Sequence, residues 1–150
     1  MRSLRTYVLD TSVLITYITE NAIGRERVLS IIEEARRGKV QLYTVYPVLS
    51  ELLYASTRVY EMAGLEEPNV KALDFLLWVE GLVDIVELTQ DIALRAGELK
   101  KLLRIALTDC YVIATAESLN STALFLRVEK EMRNRMDLIR RLPVEFLIES

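Results

Sequence analysis

A three-layer α/β/α sandwich around a mainly parallel central sheet is the fold class this sequence predicts, on three observations. Apolar, β-rich runs alternate with helical periodicities along the whole chain, the pattern of repeated strand–crossover–strand units. The 150 residues are 51% apolar, enough for one hydrophobic core and too few for two ordinary domains. No Ser/Gly/Pro-rich linker, internal repeat or low-complexity segment interrupts them, so residues 1–150 read as a single domain.

Tyr7-Val8-Leu9 reads as the first strand, ending at Asp10, and Thr11-Ser12 can cap a short helix over 13–19. Residues 23–37 carry Val28, Ile31, Ile32 and Ala35 at helical spacing, and Gly38 is a fitting stop. A second strand follows over 40–45. Pro47 suits the first turn of a helix that runs through Glu51 to about Met62, where Gly64 and Glu66-Glu67-Pro68 break it. Residues 70–80 form another helix, with bulk from Leu73, Leu76, Leu77 and Trp78. The alternation over 83–88 predicts a third strand. Residues 90–103 are helical, and Thr108 is the expected cap of a helix over 109–119. A fourth strand is expected over 122–126, a short helix over 129–136, and a closing edge strand over 144–148, after Pro143.

Histidine is absent and cysteine occurs once, at Cys110. That excludes Ser-His-Asp and Cys-His nucleophile systems, an internal disulfide, a zinc site built on Cys and His, and any His-dependent acid–base ribonuclease mechanism. Catalysis must run on carboxylates, hydroxyls, Lys, Arg or Tyr, with a hard metal as the natural partner. The apolar run behind the charged Met1-Arg2-Ser3-Leu4-Arg5 stops at Asp10, too short for a signal-peptide core. Mean hydropathy is +0.21, but charges cut every apolar run well short of a membrane span. A cytoplasmic protein without membrane contact is expected, and a lone cysteine fits a reducing compartment.

In open α/β sheets, sites form at the carboxyl ends of parallel strands, where loops converge and helix N-termini point inward. That rule selects acids. Asp10 ends the first strand in Val8-Leu9-Asp10-Thr11-Ser12, and Glu51 sits about one turn into the helix after the second. Asp109 opens a helix in Leu107-Thr108-Asp109-Cys110-Tyr111, and Glu129 and Glu131 follow the fourth strand. An ionised carboxylate among core-facing apolar residues is costly unless paired, protonated or bound to a cation. Each acid alone has a structural explanation: Asp10 as a cap, Asp109 complementing a helix dipole, Glu51 paired with Arg58, Glu129 as solvated surface. Four acids at sheet-end positions of one small domain are better accounted for together, as a cation cluster.

At these residues the sequence resembles the PIN-domain family, and in size and layout it is similar to the VapC-type ribonuclease toxins of prokaryotic toxin–antitoxin pairs. The resemblance covers nearly the full chain. It rests on the opening strand with Leu9-Asp10-Thr11-Ser12-Val13-Leu14-Ile15, on Ser50-Glu51-Leu52, on the run from Leu107-Thr108-Asp109 through Ala116, and on a late strand leading to acids. It implies an acid quartet binding Mg²⁺ or Mn²⁺, carried over onto Asp10, Glu51 and Asp109. Similar proteins end the late strand in Thr or Ser with an Asp two residues on. Here Arg127 holds the hydroxyl place and Glu129 the acid place, with Glu131 a further two along.

The implied activity is divalent-metal-dependent endonucleolytic hydrolysis of RNA. The alternative is a catalytically weak or inactive PIN-like module that binds RNA or protein, which the Arg127-Val128-Glu129 departure motivates. Mg²⁺ favours about six oxygen ligands at roughly 2.0–2.1 Å and keeps several waters. Two ions about 3.5–4 Å apart would activate water and stabilise the leaving oxygen of an in-line displacement, with no need of histidine.

The net charge is -3, which argues against nucleic-acid binding by bulk positive charge. Setting aside Asp10, Glu51, Asp109 and Glu129 moves it to +1. The cations gather at Arg25 and Arg27; at Arg36, Arg37 and Lys39; at Lys100, Lys101 and Arg104; and at Arg133, Arg135, Arg140 and Arg141. Each cluster alone is an ordinary solvated face paired with Glu. Substrate contact is expected of Arg127, Thr11 and Ser12, with Arg127 on a phosphate and the two hydroxyls orienting Asp10 or capping. Tyr111 is expected to pack in the core. A haloacid-dehalogenase site would need an acid where Ser12 stands, and a receiver domain would need an Asp after its third strand and a late Lys, which this sequence does not offer. The apolar stretch 70–88 predicts a homodimer, and a toxin predicts an antitoxin whose Arg or apolar helix blocks the acids.

Overall fold

In the computed structural model, which describes residues 4–149, five apolar runs become strands: β1 (Arg5–Leu9), β2 (Val40–Val45), β3 (Asp84–Val86), β4 (Thr122–Phe125) and β5 (Val144–Phe146). Part of the charged amino terminus, residues 1–3, lies outside the described residues. The strands pair in the order β3-β2-β1-β4-β5, and every neighbouring pair is parallel, so the sheet is wholly and not just mainly parallel. Central strands of such a sheet are covered on both faces, and Val8, Leu9, Ala123, Leu124 and Phe125 are buried accordingly.

The helices are α1 (Thr11–Ile18), α2 (Arg25–Arg36), α3 (Tyr46–Met62), α4 (Pro68–Leu82), α5 (Gln90–Leu103) and α6 (Leu107–Ser118), then a 3-10 helix (Lys130–Arg135) and α7 (Met136–Ile139). From β1 the chain steps outward to β2 and β3, then crosses back to β4 and β5. Right-handed crossovers put α1 to α4 on one face and the later helices on the other. The packing agrees: α1 lies against α2 and α3, and α3 against α4, whereas α5 packs on α6, which covers β1, β2 and β4. Direction reverses between β1 and β4, so a crevice opens at their carboxyl ends, where α/β sheets bind ligands. Among the described residues, no helix is long and apolar enough to cross a membrane.

Local differences from the sequence-based expectations have physical causes. The cap of α1 is Asp10, not Thr11 or Ser12: its side chain accepts from the Ser12 amide. Thr108 lies inside the first turn of α6, whose flanking residue, Ala106, offers no side-chain cap. The third strand is three residues long because its partner β2 stops at Val45, paired with Val86, which leaves Glu87 and Leu88 nothing to pair with. Within the expected helix 129–136, Lys130–Arg135 wind as a 3-10 helix and α7 begins at Met136. β5 ends at Phe146, although the amides of Leu147 and Ile148 still donate to Phe125 and Leu126 carbonyls.

Gly24 precedes α2 with φ +89, and a Cβ there would stand 3.1 Å from Leu126 Cδ1 and from Ile148 Cγ2. Gly24→Ala is expected to destabilise the fold by about 1–2 kcal/mol from the left-handed backbone alone, with the two close approaches adding to it. A urea midpoint equal to that of the unaltered chain would contradict this.

Candidate metal centre

Each acid is positioned by an element end. Asp10 follows the last residue of β1, and its amide still donates to the Leu124 carbonyl of β4 at 3.0 Å, pinning it over the crevice. It is 3% exposed. Its Oδ2 accepts from the Ser12 amide at 3.0 Å, while Oδ1 is buried without a partner. β2 runs straight into α3, which brings Glu51 back over the same end of the sheet. There Glu51 Oε1 accepts from the Thr11 hydroxyl at 2.7 Å. Asp109, in the first turn of α6, is 6% exposed among Cys110, Val112 and Ile113. Glu129, half-buried, flanks the start of the 3-10 helix.

Electrostatics reflect the convergence. Burial is the first cause of a raised pKa for Asp109, pushed up to about 9, and the charges of Asp10, Glu129 and Glu51 follow. Burial likewise pushes Glu129 up to about 7, with Asp10, Glu131 and Glu51 adding to it. Asp10 is also raised by burial, against donation from Ser12 and the Thr11 amide and with a further push from Glu51. Two ionised carboxylates can only accept. Asp10 and Asp109 can therefore hydrogen-bond to each other only when one of them carries a proton.

The four acids share one field without forming a closed cage: among the described residues no three metal-ligating side chains make a ready coordination group. The donor set is entirely oxygen, and one buried carboxylate oxygen, Asp10 Oδ1, has no partner. Both features fit a hard divalent cation, whose charge would offset the repulsion among the ionised acids. Glu131 is exposed and bears on the group through Glu129, so Glu129 is the fourth acid the fold brings in.

The hydroxyls divide their work differently from the expectation. Thr11 holds Glu51 and not Asp10. Ser12 Oγ accepts from the Leu126 amide at 3.0 Å, tying the end of β4 to the start of α1, and its proton is left free for Asp10. Sequence periodicity carries no sign of these two hydrogen bonds, because they join residues 40 and 114 positions apart. Ser12→Ala leaves the Leu126 amide without its partner, a loss of about 1–3 kcal/mol, read as a lower melting temperature. An unchanged melting temperature would rule out the tie.

Arg127 is exposed at the mouth, with no ion pair or hydrogen bond among the described residues. Tyr111 is half-buried against the core, as expected. Burial and the Asp109 charge push the Cys110 thiol up to about 11, so it stays protonated and no thiolate joins the site.

A family model described as PIN domain matches residues 7–127. Several solved structures share the fold. A VapBC complex from Salmonella typhimurium, bound to DNA, has a TM-score of 0.67 at 13% identity, covering 97% of this chain and 100% of its own. VapBC2 from Rickettsia felis, bound to a promoter DNA fragment, has a TM-score of 0.65 at 17% identity, covering 94% and 98%. VapC20 from Mycobacterium tuberculosis, described as a toxin cleaving the sarcin-ricin loop, has a TM-score of 0.59 at 14% identity, covering 79% and 86%. No curated protein sequence matches the chain.

Proposed function

This chain belongs to the PIN domain family, and on that premise we propose that it is a divalent-metal-dependent endoribonuclease, the toxin of a toxin–antitoxin pair, acting in the cytoplasm as a single domain. The observation that carries the reading is the buried, partnerless Oδ1 of Asp10, beside an Asp109 whose carboxyl is pushed up to about 9. Asp10, Glu51, Asp109 and Glu129 would hold Mg²⁺ or Mn²⁺. When bound, such an ion supplies Lewis-acid charge to a phosphodiester and to the water that attacks it. The chain's own groups do the rest. Thr11 fixes the rotamer of Glu51, Ser12 holds Asp10, Asp109 would be ionised where the ion is held, and Arg127 would take a non-bridging phosphate oxygen.

Partners follow from apolar surface. A groove of about 710 Å³ between α1 and α3 is lined by Ile18, Val59, Tyr60, Met62 and Leu65. It suits the apolar face of an antitoxin helix, a reading supported by the VapBC complexes among the structural relatives. On α4, Val70, Leu73 and Leu77 form a stripe at helical spacing, 51%, 53% and 66% exposed, which supports a homodimer. Trp78 is stacked on Tyr17 at 4.3 Å between ring centroids and belongs to the fold. The second reading, a binding module that no longer cuts, is favoured by Arg127 standing in the hydroxyl place and by the absence of a ready cage among the described residues.

The test incubates the purified chain with single-stranded and structured RNA in Mn²⁺ and in EDTA. Cutting in Mn²⁺ that stops in EDTA is the expected result. Cutting that survives EDTA overturns the metal mechanism, and intact RNA under all conditions favours the binding module.

A further inference from the structure

The four basic clusters of the sequence are not equivalent once folded. Arg25 and Arg27 donate to the carbonyls of Tyr17 and Leu147 at 3.0 and 2.9 Å. Arg37 pairs with Glu33 at 3.1 Å, and Arg36 lies over the Trp78 ring. Lys101 pairs with Glu98 at 3.0 Å, and Lys100 donates to the Ile105 carbonyl at 2.6 Å. Lys39 and Arg104 also stand unpaired among the described residues, each beside tied neighbours, whereas the cluster after β4 is unpaired throughout. Arg133, Arg135, Arg140 and Arg141, together with Arg127 and Lys130 before them, make no ion pair or side-chain hydrogen bond among the described residues. Three acids, Glu129, Glu131 and Asp137, share that segment, so partners were at hand.

The segment also has a direction. It leaves the carboxyl edge of the sheet at the acids and descends to the amino edge, where β5 begins, because β5 is parallel to β4. Its 3-10 helix and α7 span roughly 18 Å at about 2.0 and 1.5 Å per residue. Along its length lies a groove of about 540 Å³, running from Arg140 and Val144 at the amino edge to Val128 and Glu149 at the carboxyl edge, with Met136 and Phe146 as apolar wall and Glu145 and Glu149 as acceptors. An aromatic ring next to a free guanidinium, with carboxylates able to accept from an exocyclic amine, matches a nucleobase better than a phosphate or an acyl chain. β5 is the sheet's edge strand, so this wall is open along its length.

We propose that the 3-10 helix, α7 and β5 form a track for single-stranded RNA that leads away from the acids, with its phosphates on the unpaired cations and one base lodged against Phe146. The proposal deepens the nuclease reading and rests on it for the identity of the polyanion. Charge complementarity selects the occupant: a polyanion that meets unpaired cations releases counterions on binding, and each phosphate that a variant no longer neutralises should lower the salt slope by about 0.7.

Binding is measured by fluorescence anisotropy of a short, labelled single-stranded RNA of mixed sequence, in EDTA so that cutting does not interfere. Arg133→Glu/Arg140→Glu is expected to weaken binding by more than tenfold and to lower the salt slope by about 1.4. Phe146→Leu, which keeps an apolar side chain in the wall, should weaken it about fivefold or more, the low end of one base stacking on a ring, with the slope unchanged. Lys39→Glu/Arg104→Glu makes the same charge change elsewhere and should cost little. Matched melting curves exclude misfolding. Equal losses in the two double variants would reduce the effect to net charge and overturn the track. Binding unchanged by the Arg133/Arg140 reversal would assign these cations to a protein partner and overturn it as well. Cutting in Mn²⁺ is read in parallel. No cutting with track-dependent binding sinks the nuclease reading alone, and cutting with track-independent binding sinks the track alone.

Discussion

Asp10→Asn is expected to abolish RNA cleavage while raising the melting temperature of the metal-free chain. The carboxylate sits 3% exposed with one oxygen unpartnered, in the field of Glu51 and Asp109, so the fold carries it at a cost. Asparagine keeps the shape and still accepts from the Ser12 amide. Its NH₂ can donate to Asp109, which removes the like-charge repulsion and fills the empty valence. A buried group left unsatisfied costs about 1–3 kcal/mol, and at this chain length each kcal/mol is worth about 2–4 °C. Cleavage should fall on the order of a hundred- to a thousandfold, the scale of losing one preorganised electrostatic group. A lower melting temperature would mean that Asp10 is a structural cap only. Undiminished cleavage would remove the acid group from the reaction.

That pairing of lost activity with gained stability separates a functional site from an ion pair that holds the fold together. Elsewhere in the molecule the pairs are of the second kind and are exposed, such as Arg95 with Glu117 at 2.8 Å or Arg5 with Glu34, so each is worth little.

The strands and long helices were legible because their signals are local: a run such as Val40 to Val45 has one way to be buried, and α5 has the expected bounds, 90–103. Asp10, Glu51, Asp109 and Glu129 were legible for a different reason, since strand ends and first turns in a parallel sheet all point to one rim. What could not be read depends on interactions across the chain. Thr11 meets Glu51 only because β1 and β2 are neighbours in parallel register. The length of β3 is set by where β2 turns into α3. The clusters at Arg37 and at Arg133 look alike in sequence, and only the fold tells the tied from the free.

Metal-free protein should lose stability as the solution becomes more alkaline. The sign follows from the raised values. A carboxyl whose folded pKa lies above its unfolded one stabilises the fold fully below the unfolded value, and that contribution is lost as pH climbs through the folded value. For Asp109 the window runs from 3.8 to about 9, and for Glu129 from 4.5 to about 7. Melting temperature measured in EDTA should therefore fall between about pH 5 and pH 9, most steeply below about 7, where Asp109 and Glu129 both keep a proton only in the folded chain, and level off above about 9. A divalent cation requires the ionised carboxylates, so its binding releases protons from Asp109 and Glu129 and tightens with rising pH. Added Mn²⁺ should accordingly raise the melting temperature more at pH 9 than at pH 6 and flatten the profile. In Asp10→Asn the metal-free profile should already be flatter, because Asp109 loses its nearest like charge. A metal-free melting temperature that rises toward pH 9, or a Mn²⁺ increment that is the same at both ends, would mean that these four side chains do not act as one coupled group.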